Sequence, residues 1–120
     1  MRVLALVAAG GAAGCLSRWL VTDGRSPWLV VVANLIGALA LGLLVALVKP
    51  TSLLRPLLGT GFLGGWTTWS AVAAQSALDL RRSAYSPLVL MLVVSVLGGP
   101  LAAYVGSRLG HAVRLDEEVP

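Results

Sequence analysis

The side chains of this 120-residue chain that could act on a ligand are mostly hydrogen-bond donors set in apolar surroundings. Asn34 is the one strongly polar residue in the run from Pro27 to Val48. Trp66, Thr67, Thr68, Trp69 and Ser70 follow one another in a second run, and Ser95 is the only aliphatic hydroxyl in a third. Amide, hydroxyl and indole groups all donate hydrogen bonds, and aromatic ring edges carry positive quadrupole density. A path lined by such groups without fixed charge suits a small anion that must shed water and still leave. A lone asparagine on an apolar helix also serves as interhelical glue, and that alternative stays open from composition.

Enzymatic chemistry finds no support. Ser70 and Ser95 have no plausible base partner in the sequence around them, and no Asp, Glu, Lys or His stands within the middle of an apolar run. Proton-coupled transport usually needs such an ionisable group. His111 lies beyond the last run. The single Cys15 excludes an intramolecular disulfide and a multi-cysteine metal site.

The elements that must position these donors are membrane spans. Residues of the apolar set make up 58% of the chain and charged residues 12%, about half the share of a soluble domain. A small soluble fold could not cover its surface with so few polar groups. The formal charge of +4 is spread singly along the chain except at Arg81-Arg82, which argues against a nucleic-acid surface. Four apolar runs, Val3 to Val21, Pro27 to Val48, Pro56 to Leu78 and Pro87 to Val105, are each long enough to cross a hydrocarbon core of about 30 Å as helix. Short connections join them at Thr22 to Ser26, Lys49 to Arg55 and Asp79 to Ser86. The first run is expected to stay as a helix rather than to be cleaved as a signal, although Ala12-Ala13-Gly14-Cys15 faintly resembles a lipoprotein site. Residues 1–110 thus form one four-helix membrane domain, and 111–120 a polar C-terminal tail ending in Asp116-Glu117-Glu118 and two more residues.

Four spans put both termini and the second loop on one side. Arg2, Lys49, Arg55, Arg108 and Arg114 fall there, against Arg18, Arg25, Arg81 and Arg82 on the other. A chain of fixed orientation shows a clear bias of basic residues. This balance predicts weakly set or dual topology and an antiparallel pair related by a two-fold axis in the membrane plane.

Small residues recur at helical spacing in Gly10 and Gly14, Ala33 and Gly37, Ala38 and Gly42, and Gly61 and Gly65. Such pairs predict close helix packing. In the third run, Gly64-Gly65 followed by Thr67-Thr68 predicts a helix break at membrane depth, where freed carbonyls need a neighbouring helix or a cation. A glycine-lined face in a continuous helix is the alternative reading of the same residues.

Together these motifs resemble the CrcB/Fluc family of fluoride channels over roughly residues 2 to 110. Gly10-Gly11-Ala12-Ala13-Gly14-Cys15-Leu16-Ser17-Arg18-Trp19 is similar to its glycine-rich first-helix motif. Ala33-Asn34-Leu35-Ile36-Gly37 resembles its Val-Asn-x-x-Gly motif, and Gly61 to Ser70 its broken third helix. The resemblance implies an all-α integral membrane protein with four transmembrane helices, the third broken mid-membrane, assembled as an antiparallel dual-topology dimer. It implies passive export of toxic fluoride across the bacterial plasma membrane. It implies a structural Na+ at the dimer interface, held by backbone carbonyls that match Gly64 and Thr67. Asn34 would face the pore, Trp69 and Val72 take the positions of two pore phenylalanines, Ser70 and Ser95 match pore serines, and Arg18 matches an arginine near the aqueous vestibule.

The chain departs from the pattern at Trp69, Ala71 and Val72, where the family reads Phe, Thr and Phe, and at Met91, where a tyrosine is frequent. Pro100 is expected to kink the fourth helix. The departures leave both a homodimer and a heterodimer with a related subunit open, including a partner subunit that conducts nothing itself. A small multidrug exporter is the other reading, but it needs a glutamate in the first span, and none is present.

Overall fold

The computed structural model describes residues 1–23 and 25–117, so the end of the acidic run at Glu118 lies outside the described residues. Among the described residues every regular element is helical. Helix α1 spans Arg2–Thr22 and α2 spans Trp28–Leu47. Each is about 30 Å long at 1.5 Å per residue, the thickness of a hydrocarbon core.

Helix α3 begins as a wide π-helix, Arg55–Leu63, and closes with the short α-helical turn Gly64–Trp66. Pro56 near its start removes one N–H where a helix has no partner for it anyway. Thr67 and Thr68 are extended, and α4 then runs Trp69–Arg81. The tight turn that follows places Ser83 at φ 55°, and α5 spans Tyr85–Glu117.

Two expected boundaries move. Asp79 to Arg81 belong to α4 rather than to a loop, and the polar segment from His111 to Glu117 continues α5 as helix. A rise of 1.5 Å per residue makes α5 about 50 Å long, so it outreaches a bilayer core by several turns. Its helix also continues on both sides of Pro100.

Three helices, α1, α2 and α5 from Tyr85 to Arg114, are long and apolar enough to cross a membrane. Their large apolar side chains point outward: Leu4, Leu20, Ile36, Leu97 and Leu101 are all more than half exposed. So much exposed hydrocarbon is untenable in water and ordinary in lipid. The buried core is small, built from Val31 of α2, Val72 of α4 and Met91 of α5.

Glycines set the helix spacing. A Cβ on Gly14 of α1 would fall against the Phe62 carbonyl oxygen, and one on Gly65 against that of Gly11. A Cβ on Gly42 of α2 would meet Ala103 of α5, and one on Gly106 would meet Leu39. Backbones in contact gain dispersion and interhelical packing where lipid offers no hydrophobic drive.

Candidate functional site

The chain between α3 and α4 leaves helical geometry for two residues, and side chains of another helix answer its backbone. Thr68 N–H donates to Asn34 Oδ1 at 2.8 Å, and Asn34 Nδ2 donates to the Thr68 carbonyl at 2.8 Å. The asparagine amide thus replaces a peptide group of a neighbouring strand. Trp66 Nε1 donates to the Ala33 carbonyl at 2.9 Å, one residue before Asn34. Gly37, one turn further along α2, leaves the room that Trp66 and Thr67 occupy. On α3 itself the Leu63 carbonyl accepts from both Thr67 N–H and Thr67 Oγ1, each at 2.9 Å. Thr68 then caps α4, its Oγ1 accepting from Ala71 N–H at 3.4 Å and lying 2.9 Å from Ser70 Oγ.

A cleft of about 340 Å³ opens beside this break, lined by Asn34, Gly64, Thr67, Trp69 and Ser95 together with small and apolar neighbours. No lining side chain among the described residues is ionisable. Asn34 has two amide N–H groups and spends one on Thr68, so the second is free to face the cleft. The Ser95 hydroxyl is buried and has no hydrogen-bond partner among the described residues. Leaving such a group unpaired costs about 1–3 kcal/mol. Of the carbonyls freed at the break, that of Thr68 is taken by Asn34 and that of Gly65 faces Arg18 Nε at 3.4 Å. No hydrogen bond across the break among the described residues ends on the Gly64 or Thr67 carbonyl.

The comparisons with known proteins point one way. The family profile described as CrcB-like protein, Camphor Resistance (CrcB), matches residues 5–107. The chain belongs to the CrcB family. Among similar relatives is the fluoride-specific ion channel FluC 1 of Ligilactobacillus salivarius, 36% identical over 110 residues that cover 87% of this chain and 96% of the relative. FluC 1 of Rhodococcus jostii is 38% identical over 113 residues, 93% of this chain and 88% of its own length. FluC of Chelativorans sp. is 38% identical over 121 residues, 92% of this chain and 97% of its own. With its apolar helices, this CrcB chain is a multi-pass membrane protein, and its family consists of ion channels rather than enzymes.

Within the CrcB fold, the structure gathers Asn34, Trp69, Ser95, Gly64 and Thr67 around one cleft. Trp69 is 55% exposed there. The other three residues singled out in sequence lie off it. Ser70 is exposed beside Thr68. Val72 is 1% exposed and packs in the subunit core. Arg18 is half-buried on α1, against the Gly65 carbonyl.

Sequence reasoning missed several groups. Thr68 is the backbone that Asn34 holds, and a threonine directly before a restarting helix is an N-cap signal that was there to read. Asp79, placed in a loop by its charge, is only 7% exposed on α4 and accepts from Gln75 Nε2 at 2.8 Å. Their i, i+4 spacing is the visible signal. Ser76 carries a second buried hydroxyl without a partner. Arg55 reaches back to the end of α2, donating to Val48 and Val45 carbonyls.

Proposed function

We propose that this chain is a subunit of a fluoride-selective channel that lets fluoride leave the cell passively across the bacterial plasma membrane. The observation that carries the reading is the uncharged, donor-bearing cleft at the tied break, in a chain whose relatives bear the name fluoride-specific ion channel. Fluoride holds its water strongly, so a conducting site must replace that water with close donors. The free Asn34 N–H and the unpaired Ser95 O–H supply them from two helices. The absence of fixed charge in the lining keeps the bound anion from being trapped.

In this reading the third span is α3 and α4 together, and the extended Thr67-Thr68 pair lies at mid-membrane. Two chains pair antiparallel, the second being another copy or a related subunit, as the balance of basic residues on the two sides suggests. The residues at the break also fit a structural Na+. Hard cations take oxygen ligands, and the Gly64 and Thr67 carbonyls are turned to no other donor across the break. An ion there would supply positive charge at the freed helix ends.

Purified chain in liposomes tests the proposal directly. Fluoride-loaded vesicles should release fluoride when the membrane potential is collapsed by an ionophore, and chloride-loaded vesicles should not. Equal release of both anions overturns it, and so does release of neither once the related subunit is reconstituted with this chain.

A further inference from the structure

The cleft at the break does not end at Leu41 and Gly59. Both residues also line a second cleft of about 300 Å³, which continues past Leu44 and Val45 to Arg55. The two clefts adjoin along Leu41 of α2 and Gly59 of α3, and taken together they form one groove between these helices. Asn34 at its inner end and Val45 near its outer end are about 16 Å apart along the axis of α2. Arg55 is the one charged residue among the described residues lining either part.

Arg55 is fixed in place. Its Nε–H donates to the Val48 carbonyl at 3.0 Å and its Nη2 to the Val45 carbonyl at 2.6 Å. These carbonyls stand at the C-terminal end of α2, where a helix has no partners of its own for them, and where the helix dipole favours a cation. A guanidinium has five N–H groups and is always charged. Two are spent on α2, so three N–H groups and the whole charge are left at the end of the groove.

We infer that this groove is the anion's way to the donor cleft from the side of the α2–α3 loop, and that Arg55 is the positioned charge at its mouth. The inference rests on the channel reading above. A cation at the mouth of a low-dielectric cleft raises the local concentration of anions. It attracts chloride as well as fluoride, so Arg55 sets the rate of entry and the uncharged inner end sets the choice. Gly59 is the junction of the two clefts. A Cβ there would already lie 3.2 Å from Leu44 Cδ2 and 3.7 Å from Leu41 Cδ1, so a longer side chain fills the passage.

Fluoride efflux from liposomes carrying the full chain, at low and near-physiological salt, tests this with Arg55→Gln, Arg55→Lys and Gly59→Leu. The Debye length is about 30 Å at 0.01 M and about 8 Å at 0.15 M, so a steering charge acts mainly at low salt. Arg55→Gln should lower fluoride flux roughly threefold to tenfold at low salt, with the difference shrinking as salt is added. Arg55→Lys should keep the flux, although it loses the two-pronged hold on α2. Gly59→Leu should lower flux at both salts. Chloride-loaded vesicles should still show no release in either Arg55 variant. If Arg55→Gln does not fold, Arg55→Lys still decides the matter: its flux should fall as pH rises past about 10 and the lysine loses its charge, while that of the parent does not.

Equal loss in Arg55→Gln and Arg55→Lys at both salts would make Arg55 a helix cap only and overturn the inference. A conducting parent whose salt dependence survives Arg55→Gln overturns it as well and leaves the channel reading standing. A parent that releases no fluoride, with the related subunit reconstituted beside it as well, removes the channel reading and the inference with it.

Discussion

Two glycine pairs in this molecule have opposite fates. Gly64-Gly65 precedes a stretch where the helix opens, and Gly98-Gly99 lies inside α5, which runs on without a break. Judged by residue type the second pair should break more readily, since Pro100 follows it and a proline removes a backbone hydrogen bond. The difference lies in what stands opposite. Beside Thr67 and Thr68, α2 offers an asparagine amide for both polar groups of Thr68, and an Ala33 carbonyl for the Trp66 indole. A Cβ on Gly98 would meet the apolar side chains of Leu35 and Val94 first, and one on Gly99 would meet nothing within 4 Å. In hydrocarbon an extended residue is tolerated only when its N–H and C=O are answered. The break is therefore specified by α2, and glycine merely permits it.

The sharpest way to break this comparison is Asn34→Leu, which keeps the size and removes both bonds. It strands a half-buried N–H and C=O of Thr68, and a fully buried group left unpaired costs about 1–3 kcal/mol. We expect a loss of roughly 2–5 kcal/mol in unfolding free energy, together with loss of fluoride flux, since the same amide supplies a cleft donor. Asn34→Asp should not rescue, because a carboxylate oxygen would face the Thr68 carbonyl. If the Asn34→Leu protein unfolds and conducts like the parent, the break stands without α2.

How much of this was legible follows from the same contrast. Three of the four expected spans were readable, because lipid demands long apolar runs, and so was the glycine spacing that brings α1 onto α3; the run from Pro56 to Leu78 is divided between α3 and α4, neither long enough to span alone. Composition marks where lipid ends rather than where backbone hydrogen bonding ends, so Asp79 and the segment after His111 were assigned to loop and tail although both are helical. Asn34 could be read as glue or as a path donor; its two bonds to Thr68 and its place on the cleft give it the first role and leave one N–H for the second. The pairing joins residues 34 positions apart, which no local pattern reports. The burial of Val72 was hidden for a related reason. Helical spacing puts it one turn from Trp69, but only the packing of α2 and α5 on that face decides that Trp69 is open and Val72 closed.

Gly65→Ala tests the permissive half of the argument. The new Cβ would fall against the Gly11 carbonyl oxygen and 3.1 Å from Cys15 N, backbone atoms that cannot step aside without moving α1. Overpacking of this kind costs about 1–3 kcal/mol and sometimes more. We expect about 3 kcal/mol, read as a fall in the midpoint of denaturation in detergent. A neutral result would mean that α1 and α3 are not in contact at this point.

Val72→Phe has a smaller expected effect. The sequence resemblance, which matches Val72 to a pore phenylalanine, implies that a ring there would restore a favourable edge for the anion. The structure puts the side chain in the core with Val31 and Met91, at 1% exposure, so a phenylalanine has to displace neighbours. A loss of about 1–2 kcal/mol, without a gain in flux, is expected. Higher flux from a well-folded Val72→Phe would show that this core opens onto the path.

The smallest effect separates the two glycine pairs most cleanly. Gly99→Ala adds a methyl group to a position with open space around it, in the middle of a helix that no partner asks to open. Alanine is favoured over glycine in a helix interior by about 0.5–1 kcal/mol, because the unfolded glycine has more freedom to lose. Gly99→Ala should raise the unfolding free energy by up to that amount and leave fluoride flux untouched, the opposite sign to Gly65→Ala. The measurement also reports on assembly. The space beside Gly99 is open in a single chain, and an alanine there meets resistance only if a second chain packs against it. Cross-linking of the reconstituted protein, read alongside the denaturation midpoint, distinguishes the two cases. Stabilisation with unchanged dimer yield leaves that face of α5 to lipid, and a fall in dimer yield places the partner chain on it.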